Sequence, residues 1–419
     1  MTKQPISSIT KQLDASPTPR HLVAYISDQL NNAGFTDYSN YSKQSINQTD
    51  SGYIANCGSL IAWRTGTQTA GSGFRIVGAH TDSPCFKLKP NAEDRRFGFN
   101  TLQVEIYGSP LINSWLDRDL GIAGHVVLKN GEQKLFCSIN PVARISQLAI
   151  HLDREVNERG LVLDKQLHLS PTWSTDSKSP KLIDWVAIQT KTKSTDIAHL
   201  DAQLFDANKA TVIGIDDSLL ASGRLDNQAS CWAAISAIIE SPASSSTHVV
   251  ALFDHEEVGS QSATGAGGPF LEHTLERLSA GLGLSRIDYL EALRASSCIS
   301  ADNAHAVHPN YPERHDLANA PIINHGPAIK MNSNQRYATS AESAAIFVAA
   351  CNTAKVEHQI FVSRNNMPCG TTIGPITATR LGINTVDVGL PQLSMHSARE
   401  VCGVNDLVSL QLALKAYFK

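Results

Sequence analysis

Apolar residues recur at helical spacing in TPRHLVAYISDQLNNAGF, residues 18–35, which predicts a helix that stops at Gly34. FRIVGA at 74–79 is instead a short continuous apolar run, the pattern of a buried strand, and it leads directly into His80. Between about 100 and 140 the texture changes to period two, in LQVEIYG and then GHVVLKNGEQKLFCSI, with Asn130-Gly131 placed as a hairpin turn. RISQLAIHLDREVNERG at 144–160 predicts an amphipathic helix closed by Gly160. An exposed loop is expected at 170–181 and a strand in ATVIGID at 210–216. From residue 223 helices and short apolar strands alternate: DNQASCWAAISAIIE, HVVALFD, SSCISA, SAESAAIFVAACNTA, INTVDVG and NDLVSLQLALKAYF. That alternation indicates an α/β fold with a mostly parallel sheet. The expected organisation is a first domain formed by residues 1–91 and 216–419, with a β-rich domain of residues 92–215 inserted into it.

Length supports two domains, since 419 residues exceed one ordinary core. The net charge of −4 is spread over both signs, which gives no electrostatic reason to expect nucleic acid or anionic lipid as a partner. The N-terminal stretch MTKQPISSITKQLDASPTPR has no signal-like apolar region, and no stretch approaches a membrane-spanning helix. Eight cysteines stand far apart without a CxxC pair, as expected for reduced thiols in a cytoplasmic protein.

Candidate chemistry gathers at strand ends. In an open α/β sheet, function lies in the crevice at the carboxyl ends of the strands. FRIVGA leads to His80 and Asp82; HVVALFD leads to His255, Glu256 and Glu257. SSCISA leads to Asp302 and His305, INTVDVGLPQLSM leads to His396, and Asp226 opens the helix after SGRL. Taken alone, His80 reads as a hydrogen-bonded core histidine, Asp226 as an N-cap and the Glu-Glu pair as a solvated turn. Independent turns have no reason to end strand after strand in ligands, so together they predict a metal site. His/Asp/Glu donors suit a borderline ion such as zinc. Two adjacent carboxylates give a metallohydrolase one ligand and one base that takes a proton from the activated water. Spacing alone leaves open which glutamate does which.

The stretches GAHTDSP, SGRLDN, DHEEVGS, SADNAHAVHPNY, GPAIK, PCGTTIGP and PQLSMHSARE resemble the M18 metallopeptidase family, the aspartyl aminopeptidases. The resemblance implies that His80, Asp226, Glu257, Asp302 and His396 bind two zinc ions, with Asp226 as the bridge and manganese or cobalt as substitutes. It implies Glu256 as the general base and Asp82 as the carboxylate that orients His80. It further implies substrate contacts at His305, Lys330 and Tyr337, with Lys330 facing an acidic first residue, and at His151, reaching a neighbouring subunit. The expected reaction is removal of N-terminal Asp or Glu from peptides with a free amine. The expected assembly is a tetrahedral dodecamer of dimers, with the inserted domain making the dimer contacts. One departure stands at RNNMPCG, where Asn366 replaces an aspartate common in the family. Rival readings are an M42-like aminopeptidase, an M20-like amidohydrolase acting on N-acyl amino acids, a cysteine hydrolase using Cys369, and a non-catalytic self-assembling scaffold. TGAGG at 264–268 lacks the spacing of a phosphate-binding loop.

Overall fold

The computed structural model describes residues 3–39, 51–68 and 71–419. They fall into two compact units: Met1–Asp82 with Ala210–Met395 and Glu400–Lys419, and Ser83–Lys209 with His396–Arg399. The second unit therefore starts before the expected residue 92 and ends before 215, because its strand Cys85–Arg96 begins ahead of the clear alternation. Pro90 and the shift of pairing register between Leu88 and Glu93 hide that strand's period from the sequence.

The first unit is built on a nine-stranded sheet. Its centre is four parallel strands in the order Thr247–Phe253, Phe74–His80, Ser297–Ala301 and Asn384–Gly389. These strands are mostly apolar and buried at nearly every position because both faces of the sheet are covered. Val250 and Leu252 enter one core, with the helices Pro19–Asn32, Leu225–Glu240, Ala341–Ala354 and Val404–Tyr417. Val249, Ala251 and Phe253 enter the other, with Phe270–Gly281 and Arg286–Arg294. The helix expected at 18–35 runs Pro19–Asn32, capped by the Thr18 side chain, and Gly34 leaves it at φ 82°. A five-stranded sheet of the same unit joins Thr211–Ile213, Leu219–Ser222, Glu400–Gly403, Pro391–Leu393 and Ala304–His305.

The second unit is an antiparallel six-stranded sheet with its own core around Phe86, Leu102, Ile122 and Leu204. The Asn130-Gly131 turn joins Leu120–Leu128 to Gln133–Cys137, with Gly131 at φ 87°. The helix expected at 144–160 does not form. Arg144 and Ile145 are extended and bridge to Thr172 and Leu116, leaving only a short turn at Ile150–Leu152 and one helical turn at Val156–Arg159. Leu148, Ile150 and Leu152 are exposed, so the amphipathic spacing has no core to pay for helix nucleation. His151 lies in that turn and His396 lies 3.0 Å, through Nδ1, from the Ser109 carbonyl oxygen of the same unit.

Candidate metal centre and active site

Parallel register sets up the site. Phe253 pairs with His80 and Ser300 with Gly78, so three neighbouring strands end at one edge of the sheet. His80 is buried, with Nε2 3.3 Å from Asp226 Oδ1 and 3.5 Å from Asp302 Oδ1. Its other nitrogen, Nδ1, is 3.1 Å from the Asp82 main-chain oxygen and 3.4 Å from that residue's carboxylate. Burial alone would lower the imidazole's pKa, but the hydrogen bonds of Asp226, Asp302 and Asp82 prevail and hold it well above its usual value.

Asp226 is not an N-cap. Arg224, at φ 64°, occupies that place in Leu225–Glu240, and the helix is broken at Asp226 and Asn227, whose backbone angles are non-helical. The main-chain N–H of Asp226 donates to Glu400 Oε2 at 3.0 Å, and Asn227 Nδ2 donates to the Ala301 carbonyl at 2.8 Å.

Glu256 and Glu257 open a three-residue 3-10 helix between two left-handed residues, His255 at φ 67° and Gly259 at φ 96°. Asp82 takes both of their amides, Glu256 N–H on one carboxylate oxygen and Glu257 N–H on the other, each at 3.1 Å. Asp82 thus positions the glutamate pair as well as His80. Ligand-capable atoms of His80, Asp226 and Glu257 all lie within 4.8 Å of one another. Burial pushes Glu256 up to about 8, with Asp302, Asp82 and Asp226 adding to it against the pull of His80. Burial and then the Asp226 charge hold Glu257 well above the carboxylate range.

Lys330, in the strand Ala328–Met331, is buried at 3% exposure. Its Nζ donates to the Asp302 main-chain oxygen and carboxylate, both at 3.2 Å, and to the Asn303 carbonyl at 3.0 Å. Burial opposes the charge of Asp302, yet Lys330 and His80 hold that carboxylate well below its ordinary value. Tyr337 is buried with its ring centre 4.9 Å from Lys330 Nζ, and it packs with Phe361, Ala304 and Ala328 and against Cys369. His305 is exposed beside Phe361, with ring centroids 6.0 Å apart. Within the first unit the structure therefore gathers His80, Asp82, Asp226, Glu256, Glu257, Asp302, Lys330 and Tyr337. Glu400, Gln392, Asn303 and Asn227 were not anticipated, although each stands in or beside a stretch quoted for its ligands.

The donor set fits zinc. Tetrahedral ligands at about 2.0–2.2 Å from the ion stand roughly 3.3–3.6 Å apart. The 3.3 and 3.5 Å separations around His80 Nε2 fall in that range. Buried carboxylates that resist ionising together are what a divalent cation neutralises.

The family model described as aminopeptidase I zinc metalloprotease (M18) matches residues 12–418. The chain is 45% identical over 415 residues to a probable M18 family aminopeptidase 2 of Streptomyces coelicolor, covering 97% of this chain and 96% of that one. A Mycobacterium leprae protein of the same name is 41% identical over 413 residues, covering 97% and 96%. Among solved structures, a chain of the Ape4 and Nbr1 complex superposes with a TM-score of 0.95 at 34% identity, covering 100% of this chain and 86% of that one. The S. cerevisiae mApe1 dodecamer gives 0.86 at 28% identity, covering 99% and 96%. With ligand-capable atoms of His80, Asp226 and Glu257 converging in a chain matched from residue 12 to 418, this protein belongs to the M18 family of metallo-aminopeptidases.

Proposed function

We propose that the protein is a two-zinc aminopeptidase that removes N-terminal residues, acidic ones by preference, from peptides. The observation that carries the reading is the convergence of His80, Asp226, Glu257 and Asp302 with a second carboxylate, Glu256, held beside them. Those four residues would hold the ions; the fifth ligand, His396, rests on the sequence alone. When bound, zinc lowers the pKa of a water toward about 7 and polarises the scissile carbonyl.

Glu256 takes a proton from the attacking water and returns it to the leaving amine. A carboxylate held beside a metal-activated water supports transfer of a proton first from the water and then to the leaving amine. Asp82 keeps Glu256 and Glu257 in fixed register by holding both amides. Lys330, buried against Tyr337, supports recognition of an acidic side chain as a point charge.

The same proposal includes a homo-oligomer, with a dodecamer of dimers as its finer form. Large apolar side chains exposed on the second unit, including Phe97 at 99% and Val162 at 84%, support burial against another copy. A cytoplasmic setting is supported by eight free thiols. Among the described residues no helix is long and apolar enough to cross a membrane.

The deciding experiment is steady-state hydrolysis of Asp-, Glu-, Leu- and Ala-nitroanilides by metal-free protein and after addition of zinc, manganese or cobalt. Metal-dependent cleavage of the acidic substrates is expected, with Glu256→Gln lowering kcat about 10²–10⁴-fold while still binding metal. Equal activity in that variant removes Glu256 as the base, and cleavage of Leu or Ala alone removes the acidic preference.

A further inference from the structure

Glu400, Gln392 and Asn303 are each at most 2% exposed and form one hydrogen-bonded relay. The five-stranded sheet brings them together, since Gln392 pairs with Cys402 and Ala304, beside Asn303, pairs with Pro391. Glu400 Oε2 accepts the Asp226 N–H at 3.0 Å, and its Oε1 accepts from Gln392 Nε2 at 3.3 Å. Gln392 Oε1 accepts from Asn303 Nδ2 at 2.8 Å, and the same Nδ2 donates to the Leu225 carbonyl at 3.0 Å. The two ends of the relay are thus the N–H and the C=O of a single peptide unit, the one joining Leu225 to Asp226.

We infer that Glu400 is a positioning residue of the metal centre: through Gln392 and Asn303 it closes a clamp on the Leu225–Asp226 peptide and so aims the Asp226 carboxylate. The inference rests on the metal reading above. Rotation of that peptide plane is the movement that would swing Asp226 away from His80, 3.3 Å distant. Outer hydrogen bonds of this kind typically change metal affinity about 10–100-fold when removed.

The polarity of the relay gives the inference its test. A carboxylate only accepts, so Gln392 must present its NH2 to Glu400 and its oxygen to Asn303, which then spends both amide protons. Glu400→Gln preserves size, yet however the three amides turn, one donor meets a donor or one acceptor meets an acceptor. Exchanging the two residues, Glu400→Gln with Gln392→Glu, restores every pairing: Gln at 400 accepts from Asp226 and donates to Glu at 392, which accepts from Asn303.

Full-length wild type, the single variant and the exchanged double variant would be stripped of metal and checked by circular dichroism. Each would then be titrated with cobalt(II), read by its visible absorption. Cobalt binding at least about tenfold weaker in Glu400→Gln, and within about threefold of wild type in the double variant, is the expected result. Wild-type affinity in the single variant overturns the clamp and leaves the metal reading standing; no cobalt binding by wild type overturns both. If the single variant does not fold, the double variant alone decides, because a misfolded double variant, or a folded one without wild-type affinity, overturns the clamp. Asn303→Asp adds charge but ends donation to Leu225, so weaker cobalt binding is expected there and tighter binding would assign the effect to charge.

Discussion

The ammonium of Lys330 has three protons, and Asp302 and Asn303 supply three acceptors within 3.2 Å. A substrate carboxylate reaching Lys330 would therefore have to replace one of them, and the Asp302 carboxylate oxygen, the one acceptor on a side chain free to turn, would be the one released. Lys330→Met tests this exchange. If Lys330 meets the acidic side chain, kcat/KM for an Asp-nitroanilide falls at least about tenfold more than for a Leu-nitroanilide, the loss of one charge-assisted hydrogen bond. A parallel fall for both substrates would make Lys330 the counterion of Asp302 and remove it from specificity. Sequence places Lys330 in GPAIK, where a lysine is ordinarily solvated. Its burial comes from parallel pairing of Ala328–Met331 with Gln359–Val362, a partner some thirty residues away that no local pattern announces.

At the scale of elements, legibility followed burial on two faces. Phe74–His80 and Thr247–Phe253 carry long apolar runs because alternate residues enter different cores, so their ends, and the candidate ligands that begin there, can be read directly. The segment 144–160 has helical spacing but nothing to pack against, and spacing without a core does not decide structure. Ile373–Leu381 was hidden in the opposite way, since Gly374 and Pro375 suggest a loop, although proline is tolerated in a helix's first turn. Gly374 is there for space. A Cβ on it would lie 2.4 Å from both carboxylate oxygens of Asp387, the buried residue that accepts from Thr372 Oγ1 at 2.5 Å and from Ala338 N–H at 2.6 Å. Gly374→Ala is expected to cost about 1–3 kcal/mol by overpacking, lowering the thermal midpoint by several degrees. An unchanged midpoint would show that the helix shifts freely over Asp387. Glu400 was illegible for a related reason: it meets Asp226 across 174 positions of chain.

The first unit as a whole also carries a built-in response to acid that does not involve its chemistry. His248 lies in the central strand Thr247–Phe253, fully buried, with Nε2 2.7 Å from Ser244 Oγ and its ring 4.8 Å from that of Phe418 near the C-terminus. Burial, with the charges of Arg64 and Arg75, pulls its pKa down to about 4. In the unfolded chain the imidazole returns to about 6.5, so below that pH the unfolded state takes up a proton that the folded state refuses. The stability associated with neutral His248 is thus complete above about pH 6.5 and is lost as the pH falls toward 4. Between pH 7 and pH 5 the loss from this one group is about 2 kcal/mol. Urea unfolding of wild type and His248→Gln at the two pH values isolates it, because every other titrating group is shared. The variant is expected to be the less stable at pH 7, where it gives up the ring's contact with Phe418, and to lose about 2 kcal/mol less than wild type on acidification. If both proteins lose stability equally, His248 is protonated in the folded state as readily as in the unfolded one, and the acid response belongs to other groups.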